Sequence, residues 1–131
     1  MMRSLLVLAG LGTVAGLAAC STPEVSQGRA DYLTYCAGCH GDDAMGDGPA
    51  AKNFAVTPPD LTLISSRYGG FPTVEVMSQI DGYSRGTEAM PAFGAELVNS
   101  PTVLVDTGGG VQTPTPSRLF DLALYLQSIQ R

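Results

Sequence analysis

Cys36-Ala37-Gly38-Cys39-His40 is the run that most narrows what this chain can be. On a helix, cysteines three apart project from nearly the same face, so both sulfurs can reach the two vinyl groups along one side of a porphyrin. The histidine that directly follows the second cysteine carries its imidazole under the plane, where a ring nitrogen can bind iron. A haem c, one and covalent, is therefore the expected cofactor.

Other uses of the same residues fit less well. A thioredoxin-like redox pair needs a strand-helix-strand setting, and the segment before Cys36 is helix-like and polar. A structural zinc site needs four ligands, whereas the chain has one histidine and a third cysteine, Cys20, that belongs to a different motif. Two inert buried thiols on a helix would be the plainest alternative.

Residues 1–19 read as a targeting leader. Arg3 is the one charge, Leu5 to Leu17 is too short to span a bilayer comfortably, and small residues follow. Leu17-Ala18-Ala19-Cys20 resembles the bacterial lipobox, in which the cysteine receives a diacylglycerol and becomes the first residue of the mature chain. That resemblance implies lipidation at Cys20, a tether over 20–25, and a lipid-anchored protein on the periplasmic side of a bacterial membrane. Acyl chains give membrane affinity of about 0.8 kcal/mol per buried methylene.

Cleavage before Cys20 would leave 112 residues, one small domain over 26–131 with a modest side-chain core. A haem would add a large apolar body for that core to pack around. Loss of Arg3 leaves six basic against twelve acidic residues, a formal charge of −6, which makes nucleic acid an unsuitable partner.

An amphipathic helix is expected from Ser26 to Cys39, with Ser26 as cap and Ala30, Leu33 and Ala37 among its periodic positions. The stretch from Gly41 to Pro49 is polar and glycine-rich; its aspartates lack the closing glutamate of a calcium loop, so a solvated turn is expected. A second helix is predicted over about Thr73 to Ile80, with Val74, Met77 and Ile80 on one side. The last helix is predicted to be capped by Thr115, with Pro116 in its first turn and a stripe of Leu119, Leu122, Ala123, Leu126 and Ile129.

A second axial ligand has to reach the opposite face of the porphyrin, and with no further histidine it falls to a methionine. Met45 is too near His40, and Met77 sits on the apolar side of a helix, where packing is the usual role. Met90, fifty residues beyond His40 in a loop and fixed by Pro91, is the candidate iron ligand with His40; Met77 and an open or water-bound site are the alternatives.

Together these residues resemble class I cytochrome c, over about Ser26 to Arg131. The matching positions are Gly28, Tyr32, Cys36, Cys39 and His40; Pro58-Pro59-Asp60-Leu61-Thr62; Ile80-Asp81-Gly82; Met90-Pro91-Ala92-Phe93-Gly94; and Leu122 with Tyr125. The resemblance implies an all-α fold in which N- and C-terminal helices cross around one haem, Gly28 and Tyr32 meeting Leu122 and Tyr125. It implies cofactor contacts at Pro59 and Leu61, and a proline carbonyl that accepts the second ring proton of His40; the sequence does not choose between Pro58 and Pro59. Arg67, Tyr68 and Arg85 are candidates for holding the propionates.

The chain departs from the family pattern between Phe93 and Thr115. There Val103 to Val111 reads as two extended stretches about a glycine turn, a small β-hairpin insertion near residues 102–113. The function expected from the resemblance is a single-electron carrier with His/Met ligation, exchanging electrons with redox proteins at the membrane, a monomer unless built into a complex. The alternatives are a haem-bearing subunit of a larger oxidoreductase, or a small haem peroxidase or gas sensor.

Overall fold

The computed structural model describes residues 22–83 and 90–131. The leader, Cys20 and Arg85 lie outside these residues. The elements run α1 (Pro23–Tyr35), α2 (Ala37–His40), α3 (Ile64–Tyr68), α4 (Thr73–Asp81), α5 (Gly94–Leu97), β1 (Thr102–Asp106), β2 (Gln112–Pro116) and α6 (Ser117–Ser128). Single 3₁₀ turns form at Ala51–Asn53 and Leu61–Leu63. No helix among the described residues is long and apolar enough to cross a membrane.

The first helix starts at Pro23 rather than Ser26. Thr22 is its cap, with its side chain accepting from the Val25 N–H at 3.4 Å. Pro23 follows in a position where its missing N–H is not needed, and Glu24 faces the positive end of the helix dipole. Only Gly28, Asp31 and Tyr32 of α1 are buried, a narrow stripe directed at α6.

Gly28 lies against the α6 backbone, and the Tyr32 and Tyr125 rings pack with centroids 5.3 Å apart, tilted by 49°. Among the described residues, Tyr32, Leu97 and Leu122 are the largest side chains wholly removed from solvent. Met77 and Ile80 of α4 are buried as expected, whereas Val74 is half-buried and Val76 packs on the core instead; Gly82 ends the helix in the left-handed conformation at φ +95°.

The hairpin extends further along the chain than expected. Its antiparallel register pairs Thr102 with Pro116, Val103 with Thr115 and Asp106 with Gln112. Gly108, Gly109 and Gly110 take positive φ in the connection, and the Asp106 carboxylate accepts from the Gly108 N–H at 2.8 Å. Val105 and Thr115 face inward, and Leu104 is exposed.

Thr115 and Pro116 therefore belong to β2, and Thr115 does not cap α6. Its backbone is in the ladder and its hydroxyl donates to the Thr113 carbonyl at 3.1 Å. Two of the free N–H groups at the start of α6 are satisfied from across the hairpin: Ser117 donates to the Pro101 carbonyl at 2.7 Å and Arg118 to the Ser100 hydroxyl at 3.3 Å.

Candidate haem-attachment site

Cys36 occupies the joint between α1 and α2. Its N–H donates to the Tyr32 carbonyl at 2.8 Å, and its own carbonyl accepts from Cys39 at 3.1 Å and His40 at 2.9 Å. One turn of backbone thus fixes both cysteines and the histidine. Cys36 is buried, Cys39 is half-buried, and the two are not joined by a disulfide.

Burial, with Asp31 nearby, pushes the Cys36 thiol up to about 12. A thiol so shifted is a poor thiolate nucleophile. A thioether needs no ionised sulfur. Among the described residues no group of three or more histidine, cysteine and acidic side chains is disposed to hold a metal ion.

His40 is 9% exposed, and its Nδ1 lies 3.3 Å from the Pro59 carbonyl oxygen. Pro59, not Pro58, is thus the proline within reach. A carbonyl can only accept, so the contact assigns the proton to Nδ1 and leaves the Nε2 lone pair free to bind a metal. Burial lowers the pKa of His40, against an opposing effect of the Pro59 contact, and so favours the neutral ring that a metal requires.

The loop after His40 folds back over α2 and caps it. Gly46 donates to the His40 carbonyl at 2.8 Å, Gly48 to Cys39 at 3.1 Å and Ala50 to Gly38 at 2.8 Å. These are the carbonyls a short helix leaves without partners. Asp42, Asp43 and Asp47 are exposed, as expected of a solvated turn, although the Asp47 carboxylate lies over Gly41; Gly41, Ala44, Gly46 and Gly48 are buried. Ala44, at φ +60°, aims its carbonyl at the Leu61 N–H, 2.8 Å away, and so ties this loop to the proline segment.

Leu61 follows Pro59 in the 3₁₀ turn and is half-buried against the core. Met90 is half-buried and also packs on the core, with the Gln79 side-chain amide 3.7 Å from its sulfur. Met77 is buried in α4, and Met45 is 47% exposed. Arg67 spends its guanidinium on the carbonyls of Leu63 and Asp60, while Tyr68 is exposed. A cavity of about 610 Å³ opens beside Met45, Lys52, Phe54 and Thr57; none of Cys36, Cys39, His40 and Met90 lines it.

Paired unbridged sulfurs one helical turn apart, beside an oriented neutral imidazole, form a donor set that suits haem. Residues 23–101 match the model of the family described as cytochrome c oxidase, cbb3-type, subunit III. The chain belongs to this family. It is accordingly a c-type cytochrome domain with a helical fold and a two-stranded antiparallel sheet. The family match ends before β1, so the hairpin and α6 lie beyond it.

Among solved structures, the chain is similar to one from the reducing HAO-like protein complex of Kuenenia stuttgartiensis. The two are 22% identical with a TM-score of 0.60 over 92% of this chain and 50% of that one, so this chain spans about half the length of its neighbour. The likeness is one of fold. No curated protein matches the chain.

Sequence reasoning passed over Gln79 at the Met90 sulfur, and the residues that fix the proline segment from the far end of the chain. Gln79 lies one position before the buried Ile80, so its place on the edge of the apolar face of α4 was available as a signal.

Proposed function

We propose that this protein is a single-electron carrier with one covalently attached haem c. Cys36 and Cys39 would hold the porphyrin as thioethers, His40 would bind iron through Nε2, and Met90 would bind it from the other side. Haem iron supplies a one-electron ferric–ferrous couple, with a potential that His/Met ligation raises. Two protein ligands leave no position for dioxygen or peroxide. The observation that carries this reading is the His40 Nδ1 to Pro59 carbonyl contact, which leaves Nε2 as the free donor of a buried neutral ring. Pro59 orients the ring, and Leu61, two residues on, is half-buried against the core where it could contact the cofactor.

The same reading takes residues 1–19 as a leader, Cys20 as the lipidated residue, and 26–131 as the working domain, tethered on the periplasmic side of a bacterial membrane. Its partners are redox proteins at that surface, and its acidity does not suit nucleic acid. Substitution Met90→Ala tests the ligand assignment: the sulfur-to-iron charge-transfer band of the ferric protein should vanish, and its survival would exclude Met90. Rapid carbon monoxide binding by the reduced wild type would instead support a peroxidase or gas sensor.

A second reading is a fixed haem-bearing subunit of a larger oxidoreductase. The family description names a subunit of an oxidase, and the structural neighbour comes from a protein complex. Purification from membranes in mild detergent separates the two readings, since a free carrier runs alone.

A further inference from the structure

Gln130 and Arg131, just beyond α6, grip the segment that carries the carbonyl facing His40. Arg131 donates from its backbone to the Thr62 carbonyl at 3.0 Å, from Nε to the Thr62 hydroxyl at 2.7 Å, and from Nη2 to the Asp60 carboxylate at 3.0 Å. Gln130 accepts from the Ser65 N–H at 2.8 Å, and its amide donates to the Leu61 carbonyl at 2.8 Å and the Leu126 carbonyl at 2.6 Å. Asp60 in turn accepts from the Thr62 N–H at 2.9 Å and hydroxyl at 2.6 Å. Five hydrogen bonds from these two residues thus converge on residues 60–65.

The Pro59 carbonyl lies in the rigid peptide plane that joins Pro59 to Asp60, so whatever fixes Asp60 fixes the direction of that oxygen. We propose that Gln130 and Arg131 are positioning residues for the proximal histidine: by clamping the 60–65 segment they set the strength of the His40–Pro59 hydrogen bond and, through it, the reduction potential. This rests on His40 being an iron ligand. A firm Nδ1–H···O=C bond makes the imidazole a more basic ligand and favours the ferric state; a loosened one favours the ferrous state.

The sign separates this role from simple charge. Removing the positive charge of Arg131 would, by electrostatics alone, favour the ferric state, whereas slackening the clamp favours the ferrous state. Gln130 is neutral, so its removal carries no charge effect.

Haem-loaded full-length protein bearing Gln130→Ala or Arg131→Gln provides the test, read by redox titration and by exchange of the His40 ring proton in the ferrous state. Each variant should raise the ferrous-to-ferric ratio at fixed ambient potential by about twofold or more, with faster ring-proton exchange, and Arg131→Lys, which keeps the charge but not the two-pronged grip, should fall between wild type and Arg131→Gln. Arg131 is 56% exposed at its side chain, so its variants test the role even where Gln130→Ala fails to fold. An unchanged or lowered ratio in Arg131→Gln, or a raised ratio without faster ring exchange, overturns the proposal. A wild type without the spectrum of a low-spin histidine-ligated haem removes its premise, and does so before any substitution is made.

Discussion

A Cβ on Gly28 would lie 2.0 Å from the Asp121 carbonyl oxygen, 2.5 Å from its carbon and 2.9 Å from the Tyr125 Cβ. Two of these three atoms are backbone, so no side-chain rotation relieves the clash. Gly28→Ala should therefore force α1 and α6 apart, exposing Tyr32 and Leu122 to water, with a loss of about 2 kcal/mol or more. Denaturant unfolding of the haem-loaded protein measures it; a wild-type midpoint would mean that the two helices can part without cost.

Arg118 and Asp31 join the same two helices by charge. Asp31 is 3% exposed, and the Arg118 guanidinium engages both its oxygens, one from Nε at 3.1 Å. Nη1 reaches the Glu96 carbonyl at 3.2 Å, and the group lies 5.8 Å from the Tyr35 ring centroid. Arg118→Ala would leave a buried carboxylate alone, at a cost of about 3 kcal/mol. Arg118→Lys should recover less than half, because an ammonium cannot span two oxygens, a carbonyl and a ring together. Unfolding midpoints of the two variants, compared with Asp31→Asn/Arg118→Met, check this; the double variant should be the least damaged.

What the sequence disclosed were features with a local signature. The cysteine–histidine run, the stripes of α4 and α6, and the glycine turn of the hairpin all depend on spacing within a few residues. What it hid were pairings across the chain. Asp31 and Arg118 are 87 positions apart, and Asp60 and Arg131 are 71 apart. No period links such residues. The start of α6 illustrates the same point: Thr115 and Pro116 suit a helix cap by composition, but strand pairing and the donation to Ser100 decide otherwise. Leu97, fully buried on the single turn of α5, is too isolated to show a periodic pattern. The glycine loop could be recognised as a turn, but not as the cap of α2.

Two carboxylates should show opposite pH dependence. The Thr62 hydroxyl, with the Thr62 N–H and Arg131 also contributing, holds Asp60 below the ordinary aspartate value of 3.8. Its ionised form stabilises the fold above that value, and the contribution is lost as pH falls through the lowered pKa. Burial, with Glu24 and Asp31 adding repulsion, raises Asp121 above 3.8. There the native state binds the extra proton, so stability is greatest below 3.8 and declines as pH rises through the raised pKa. Asp60→Asn should thus weaken the protein at neutral pH and become harmless in acid. Asp121→Asn should strengthen it at neutral pH, with the gain fading in acid. Unfolding midpoints measured between about pH 3 and 7 distinguish the two, and parallel profiles would refute both assignments.

Gly48 places the glycine loop on α2. A Cβ there would fall 2.6 Å from each of the Ala37 oxygen, the Gly38 oxygen and the Cys39 carbonyl carbon, all backbone atoms of the turn that carries the cysteines. Gly48→Ala must lift the loop, and with it the N–H groups that cap Gly38, Cys39 and His40. Gly109 provides the comparison, since at φ +63° it has a strained backbone for any other residue but no atom near its missing Cβ. Gly109→Ala should cost only the left-handed penalty, about 1 kcal/mol. Gly48→Ala should cost about 2–3 kcal/mol and also reduce the yield of haem-loaded protein, because the damage reaches the attachment turn itself. Yield by absorbance and stability by thermal unfolding read the two effects separately. Equal stability and full loading of both variants would show that the loop does not support the site.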